Sequence, residues 1–220
     1  MRNANIIFKC LLVACRILGL IIPCTILLSL GTWQTIRLKE KLLIIQRMDS
    51  EPAIIPIVRI SEHPYEKVRL LGTFESSYLK VFAGKNGYYF VQPLKIAENK
   101  YILVNRGTSD ADTVMISPEA RTREIEGIVY CKLKSITKWV AKNDPKQNLW
   151  FWYDIDEMSR YLEVPLEQCI IWGNSTAISS GIRPNALPNI RNDHLGYAIT
   201  WYILAFTWAC GYVVYIRRHN

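Results

Sequence analysis

"LGYAITWYILAFTWACGYVVYI", Leu195–Ile216, is a run of 22 residues without a charged side chain. As an α-helix rising 1.5 Å per residue it reaches about 33 Å, enough to cross a hydrocarbon core of about 30 Å. With His194 at its start, the run predicts a transmembrane helix over residues 194–216, followed by a short tail, residues 217–220.

A second apolar run, Ile17–Trp33, has 17 uncharged residues and lies at the lower limit for a span. Arg16 can extend its charged end to the headgroups, and Trp33 suits the opposite interface. The pattern predicts a transmembrane helix over residues 14–36, preceded by residues 1–13.

Two alternatives remain open for this first apolar segment. It is compatible with a cleaved signal peptide, in which Ser29 and Gly31 are the small residues of the cleavage site. It is also compatible with a lipoprotein signal that is anchored at Cys15. The apolar stretch is longer than the core of about 7–15 residues typical of signal peptides. Its length therefore favours an uncleaved anchor.

The net charge of +8 does not indicate a nucleic-acid partner, because of where the charges lie. All 19 acidic residues and 22 of the 27 basic residues fall between the two predicted spans, leaving that segment at +3. The other five basic residues flank the spans at the two chain ends: Arg2, Lys9, Arg16, Arg217 and Arg218. The positive-inside rule predicts that both ends face the cytoplasm or matrix, with residues 37–193 on the other side of the lipid bilayer.

Residues 37–193 are predicted to form a β-rich domain. In "EKVRLLGTF" the apolar residues Val68, Leu70 and Phe74 alternate with polar or small ones, as in a half-buried strand. "YLKVFAGKNGYYFVQPL" predicts a hairpin around Gly84–Gly87, and "AENKYILVNRG" a turn and a further strand. Two more strands are predicted over Ile125–Lys132 and Gln168–Trp172.

One helix interrupts these strands. Asp154 precedes "IDEMSRYL", and Glu157 stands three residues later, the spacing of a capping box. Met158, Tyr161 and Leu162 would form its apolar face. The predicted fold class is an α+β membrane protein. Two transmembrane helices flank a mostly antiparallel β domain, either a sheet or a partly closed barrel, with one short helix.

The six cysteines do not form a disulfide framework, since only Cys131 and Cys169 lie outside the apolar segments. In an oxidising compartment these two could pair, and two free thiols are equally compatible with the sequence. The chain contains neither a CxxC motif nor the G-x-S-x-G or HExxH motifs of hydrolases. We therefore expect no enzyme.

His194 is the residue with the most distinctive setting. Tyr197 and Trp201 follow at i+3 and i+7 and share its helix face. An imidazole above aromatic rings at the lipid boundary could ligate and flank a haem. The simpler interpretation is an interfacial aromatic belt with a histidine bonded to headgroups or to the β domain.

Five segments follow one another along the chain: "GTWQTIRLKEK" (Gly31–Lys41), "VRLLGTF" (Val68–Phe74), "GYYFVQPL" (Gly87–Leu94), "LVNRG" (Leu103–Gly107) and "NDHLGYAITW" (Asn192–Trp201). In this order they resemble motifs of the Surfeit-locus family of cytochrome c oxidase assembly factors. The family usually has an aromatic residue and a proline after "LVNRG", where this chain has Thr108 and Ser109, so the loop after that strand is expected to differ.

The resemblance implies a factor that binds haem a transiently and aids its insertion into oxidase subunit I, in contact with other assembly factors. His194 matches the family histidine proposed as an axial ligand of the haem iron, with Tyr197 and Trp201 beside it. Arg37 and Arg191, and also Arg183, would lie near the outer boundary, where arginine pairs well with propionates. Phospholipid headgroups are their alternative partners.

The resemblance is compatible with two functions and two membranes. A scaffold that binds subunit I or other assembly factors without haem is the alternative to a haem a chaperone. A mitochondrial precursor would carry an Arg- and Ser-rich leader, whereas this chain reaches an apolar residue at Ala4. We therefore expect the bacterial inner membrane, with the β domain in the periplasm, rather than the mitochondrial inner membrane.

Overall fold

A computed structural model describes residues 2–110, 122–131, 133, 141–173, 182–185 and 190–219. The chain divides into two compact units. The first is a helix pair contributed by Met1–Ile45 and Ile190–Asn220, and the second is a β domain, Gln46–Asn189.

The helix pair consists of α1, Arg2–Met48, and α3, His194–Arg218. Both are long and apolar enough to cross a membrane, and almost none of their apolar stretches is buried, as expected of helices that face lipid. Helix α3 begins at the predicted residue. Helix α1 is longer at both ends than the predicted span of residues 14–36, so the predicted boundary of the β domain at residue 37 falls inside it.

Two glycines of α1 allow the antiparallel helices to approach closely. A Cβ at Gly31 would lie 2.7 Å from the ring of Tyr202, and one at Gly19 would overlap the hydroxyl of Tyr212. That hydroxyl donates to the carbonyl oxygen of Arg16 at 2.9 Å. Small residues at such contacts are the usual means of helix packing in membranes, where the lipid offers no hydrophobic driving force.

The described residues of the β domain form a sheet of seven strands in the order β1-β5-β7-β4-β3-β2-β6. Strand β1 also pairs with β3, so β1, β5, β7, β4 and β3 close into a five-stranded barrel. The pairs β4–β7 and β2–β6 are parallel and the others antiparallel. The strands are β1 Lys67–Phe74, β2 Leu79–Phe82, β3 Tyr88–Ala97, β4 Lys100–Ser109, β5 Arg123–Tyr130, β6 Leu149–Trp150 and β7 Leu166–Gly173.

The structure confirms the predicted α+β fold class and the strands that the local patterns indicated. Val68, Leu70 and Phe74 on β1 face the core. Strands β2 and β3 form the predicted hairpin, and Gly87 in its turn has φ of 78°, a conformation that favours glycine. The predicted strand Ile125–Lys132 corresponds to β5, although Lys132 lies outside the described residues.

Gly72 permits the closure of the barrel. A Cβ at this position would lie 2.6 Å from the carbonyl oxygen of Lys95, next to the two residue pairs that join β1 to β3. Any larger residue would force these two strands apart. Close packing of two strands therefore accounts for this glycine in "VRLLGTF".

The predicted short helix is α2, Ile155–Leu162. The carboxylate of Asp154 accepts a hydrogen bond from the backbone N–H of Glu157 at 3.0 Å and so caps the helix. Met158 is fully buried in a core cluster with Trp150. Tyr161 remains 41% exposed and contacts the Trp150 ring with its edge.

Cys131 and Cys169 are joined by a disulfide bond. The alternative of two free thiols, which the sequence left open, does not hold. Cys169 lies on β7 and is buried, and Cys131 follows β5, so the bond ties two neighbouring barrel strands together. A disulfide is typical of an oxidising compartment rather than of the cytosol.

Candidate functional site

His194 is the first residue of α3 and is partly buried. Its Nδ1 lies 2.7 Å from the amide oxygen Oε1 of Gln34, on the antiparallel helix α1. Gln34 follows the apolar run of α1 and His194 precedes that of α3, so the two polar side chains meet at the same end of the two apolar runs. The imidazole is thus held by a residue 160 positions away in the sequence.

The residues after His194 at steps of three or four form a stripe along α3. Tyr197 is 54% exposed and Trp201 is partly buried. Further along the helix pair the stripe borders a groove of about 480 Å³. The groove is lined by Leu27, Leu204, Thr207, Trp208, Gly211, Tyr212 and Tyr215.

The two arginines predicted for carboxylate binding each pair with a neighbouring acid. Arg37 lies one turn beyond Gln34 on α1, and its Nη1 is 2.6 Å from Oε2 of Glu40. Arg191 pairs with Asp193, and this hydrogen bond, with the charge of the same carboxylate, raises the pKa of Arg191. Both arginines are exposed, so these pairs contribute little to stability and leave the guanidinium groups accessible to another anion.

Arg183, the third arginine predicted to lie near the outer boundary, belongs to the β domain. Its backbone pairs with Thr108, and its Nη2 is 2.7 Å from Oδ1 of Asp110. The structure therefore places it in a different unit from His194.

The other two histidines have separate settings. Nδ1 of His63 lies 3.0 Å from Oε2 of Glu66 in the β domain. His219 follows the C-terminal end of α3, where its Nδ1 contacts the carbonyl oxygen of Tyr215 at 2.9 Å. Within the described residues, no three His, Cys, Asp or Glu side chains cluster to hold a metal ion. A metal bound at His194 would therefore need its remaining ligands from elsewhere.

The interior of the β domain holds a second polar cluster. Oδ1 of Asn105 accepts hydrogen bonds from the backbone N–H of Gly107 at 3.1 Å and from Nδ2 of Asn185 at 3.0 Å. The buried hydroxyl of Tyr153 lies beside this asparagine. Burial raises the pKa of Tyr153, and the neighbouring Tyr89 raises it further. The phenol of Tyr153 is therefore neutral at ordinary pH.

Comparison with known proteins gives one consistent result. The model of the SURF1 family matches residues 21–206, a range that includes both Gln34 and His194. A SURF1-like protein of Rickettsia felis is 37% identical over 219 residues, covering 91% of this chain and 96% of that protein.

This chain belongs to the SURF1 family. A second SURF1-like protein, from Rickettsia conorii, is 36% identical over 214 residues, covering 89% of this chain and 88% of that protein. The human Surfeit locus protein 1 is 30% identical over 221 residues, covering 84% of this chain and 72% of the human protein. The resemblance read from the five motifs is thus confirmed at the level of the family.

Gln34 is a residue of the candidate site that was not predicted from the sequence. It stands within "GTWQTIRLKEK", a segment already noted for its resemblance to the SURF1 family, and it is the first strongly polar residue after the apolar run of α1. This polar residue at the end of the apolar run was the signal in the sequence that could have identified Gln34. Its partner could not be read from the sequence, because the contact depends on how α1 and α3 are aligned.

Proposed function

We propose that this SURF1-family protein is an assembly factor for cytochrome c oxidase that binds haem a at His194 and aids its insertion into subunit I. The observation that carries the proposal is the partly buried imidazole at the start of an apolar helix, held by Gln34. At this position one face of a ligand meets lipid and the other meets water.

The residues present fit a haem better than a free metal ion. A single histidine is insufficient for a closed site made of side chains, but a porphyrin supplies four nitrogen ligands of its own. His194 would hold the iron from one side, and Tyr197 and Trp201 would cover the edge of the macrocycle. The iron supplies the bond to the imidazole, and the protein supplies the position and the surroundings.

The polar and apolar substituents of haem a find matching surfaces on the helix pair. Arg37 and Arg191 are exposed, and their weak pairs with Glu40 and Asp193 can exchange for bidentate contacts with propionates. The long apolar tail of haem a suits the groove that continues along the His194 stripe, where Gly211 leaves open space.

The proposed location is a bacterial inner membrane, with the β domain in the periplasm. The rickettsial relatives are bacterial proteins. The disulfide between Cys131 and Cys169 supports an oxidising compartment for the β domain. The five basic residues that flank the apolar segments support a cytoplasmic location for the two chain ends.

The test is the absorption spectrum of protein purified in detergent from cells that make haem a. We expect a Soret band in the wild type, its loss in His194→Ala, and its retention in His219→Ala, which removes the imidazole at the other end of α3. A colourless wild-type preparation would contradict haem binding and favour the alternative function of a haem-free scaffold for subunit I. Equal loss in both variants would show that His194 has no special role.

A further inference from the structure

The contact between Gln34 and His194 constrains which nitrogen of the imidazole carries the proton. A neutral imidazole has one N–H donor and one nitrogen with a free lone pair. The atom that faces Nδ1 is the amide oxygen Oε1 of Gln34, which can only accept. At 2.7 Å, this contact is a hydrogen bond when the hydrogen is on Nδ1.

The other nitrogen, Nε2, is consequently the one with the lone pair. No described residue forms a hydrogen bond with Nε2. Metal-ligating histidines generally donate their second N–H to a carboxylate or carbonyl, which fixes the tautomer and the orientation of the ring. Gln34 stands in that position relative to His194.

We propose that Gln34 is a positioning residue that fixes His194 as the Nδ1–H tautomer and so directs the Nε2 lone pair away from α1, as an axial ligand. This inference rests on the proposed function only for the identity of the ligand. The tautomer itself is a property of the ligand-free protein, and it can be measured whether or not haem binds.

Selective labelling with ¹⁵N-histidine makes the measurement direct, because the chain has only three histidines. The haem-free protein in detergent is compared with His194→Gln to assign the signals, at about pH 8, where an ordinary imidazole is neutral. Protonated and unprotonated ring nitrogens differ widely in ¹⁵N shift. We expect the Nδ1 of His194 to give the signal of a protonated nitrogen. A wild-type spectrum with the proton on Nε2 would overturn the inference.

A matched pair of variants tests the part played by Gln34. Gln34→Glu retains an oxygen acceptor of similar length, so the Nδ1–H tautomer should persist. Gln34→Met removes the acceptor and should shift the tautomer ratio towards Nε2–H by roughly two- to tenfold, the effect of one ordinary hydrogen bond. An unchanged ratio in Gln34→Met would show that Gln34 does not fix the tautomer.

Haem binding then provides a second, separate readout. Loss of such an orienting contact typically lowers metal affinity by about 10- to 100-fold, so Gln34→Met should retain less haem a than the wild type while Gln34→Glu retains it. If the tautomer is as expected but the wild type binds no haem, the proposed function fails and the structural inference stands. If haem binds through a His194 protonated on Nε2, the inference fails and the proposed function stands.

Discussion

The indole N–H of Trp208 on α3 replaces the backbone hydrogen bond that Pro23 cannot make within α1. Proline has no N–H, so the carbonyl oxygen of Gly19, four residues earlier, lacks its helical donor. Nε1 of Trp208 lies 3.3 Å from this oxygen. In a membrane an unpaired carbonyl is costly, and side chains of neighbouring helices commonly satisfy such groups.

This relationship predicts that the effects of mutating Trp208 and Pro23 on stability are coupled. Trp208→Phe keeps an aromatic ring but removes the donor, and it should destabilise the helix pair by about 1 kcal/mol. Pro23→Ala restores a backbone N–H for Gly19, so the same Trp208→Phe change should cost less in that background. A double-mutant cycle on unfolding in mixed detergents measures the difference. Identical costs in both backgrounds would show that the indole bond is unimportant.

The packing of Gly31 against Tyr202 predicts a position-specific response to alanine. Gly31→Ala should lower the stability of the helix pair by up to about 2 kcal/mol, because the added Cβ overlaps the Tyr202 ring. Gly196→Ala meets no atom within 4 Å, and it should gain up to about 1 kcal/mol from helix propensity. Thermal unfolding of both variants in detergent checks the contrast. Equal shifts of the two Tm values would contradict the described helix contact.

The disulfide predicts sensitivity of the β domain to reductant. A bond that closes a loop of 38 residues should contribute about 4 kcal/mol by loop entropy, within a usual range of about 0–5 kcal/mol. Denaturant unfolding with and without reductant measures the loss, and the double variant Cys131→Ala/Cys169→Ala should not respond to reductant. If all six cysteines of the unfolded, unreduced protein react with a thiol reagent, the bond is absent.

The raised pKa of Tyr153 predicts that the β domain becomes less stable at alkaline pH. Below about pH 10 the phenol is protonated in both the folded and the unfolded chain and adds no pH dependence. Above that pH the unfolded chain releases the proton while the folded chain, with its raised pKa, retains it. Stability should therefore fall as the pH rises, by at most about 1.4 kcal/mol per pH unit.

Tyr153→Phe has no such proton and should show a shallower fall above pH 10. Denaturant unfolding of both proteins between about pH 8 and pH 11 gives the two slopes. Parallel curves would show that the hydroxyl of Tyr153 ionises as freely in the folded β domain as in the unfolded chain.

The groove beside Gly211 predicts that filling it affects the retention of haem a but not that of haem b. Gly211→Leu should occupy the open space and weaken the retention of haem a, whose apolar tail would lie there. Haem b lacks that tail, so its retention should not change. Val214→Leu, at an exposed position outside the groove, is the matched control. A parallel loss of both haems in Gly211→Leu would mean that the groove does not hold the tail.

Local patterns were sufficient for the elements that depend on neighbouring residues. Alternation at Val68, Leu70 and Phe74 located β1, and Asp154 with Glu157 located the start of α2. The apolar run located the lipid-facing part of α1 but not its end. The helix continues through charged residues, where Arg37 and Glu40 pair across one turn.

The features of the fold and of the candidate site that were not predicted depend on contacts between residues that are distant in the sequence. The closure of β1 on β3, the parallel pairing of β4 with β7, and the disulfide are all set by the tertiary fold. The same is true of Gln34, whose partner is decided by the alignment of two helices. The pairing of Arg37 with Glu40 and of Arg191 with Asp193 was not foreseen either.

The separation of 160 residues between Gln34 and His194 has a consequence for biosynthesis. The ribosome makes Gln34 early and His194 only after the whole β domain has been translated. A nascent chain that stops anywhere in between lacks the imidazole, and Gln34 has nothing to orient. Under the proposed function, haem a could therefore bind at His194 only after translation has passed the β domain, and a prematurely terminated product would have no imidazole to hold it.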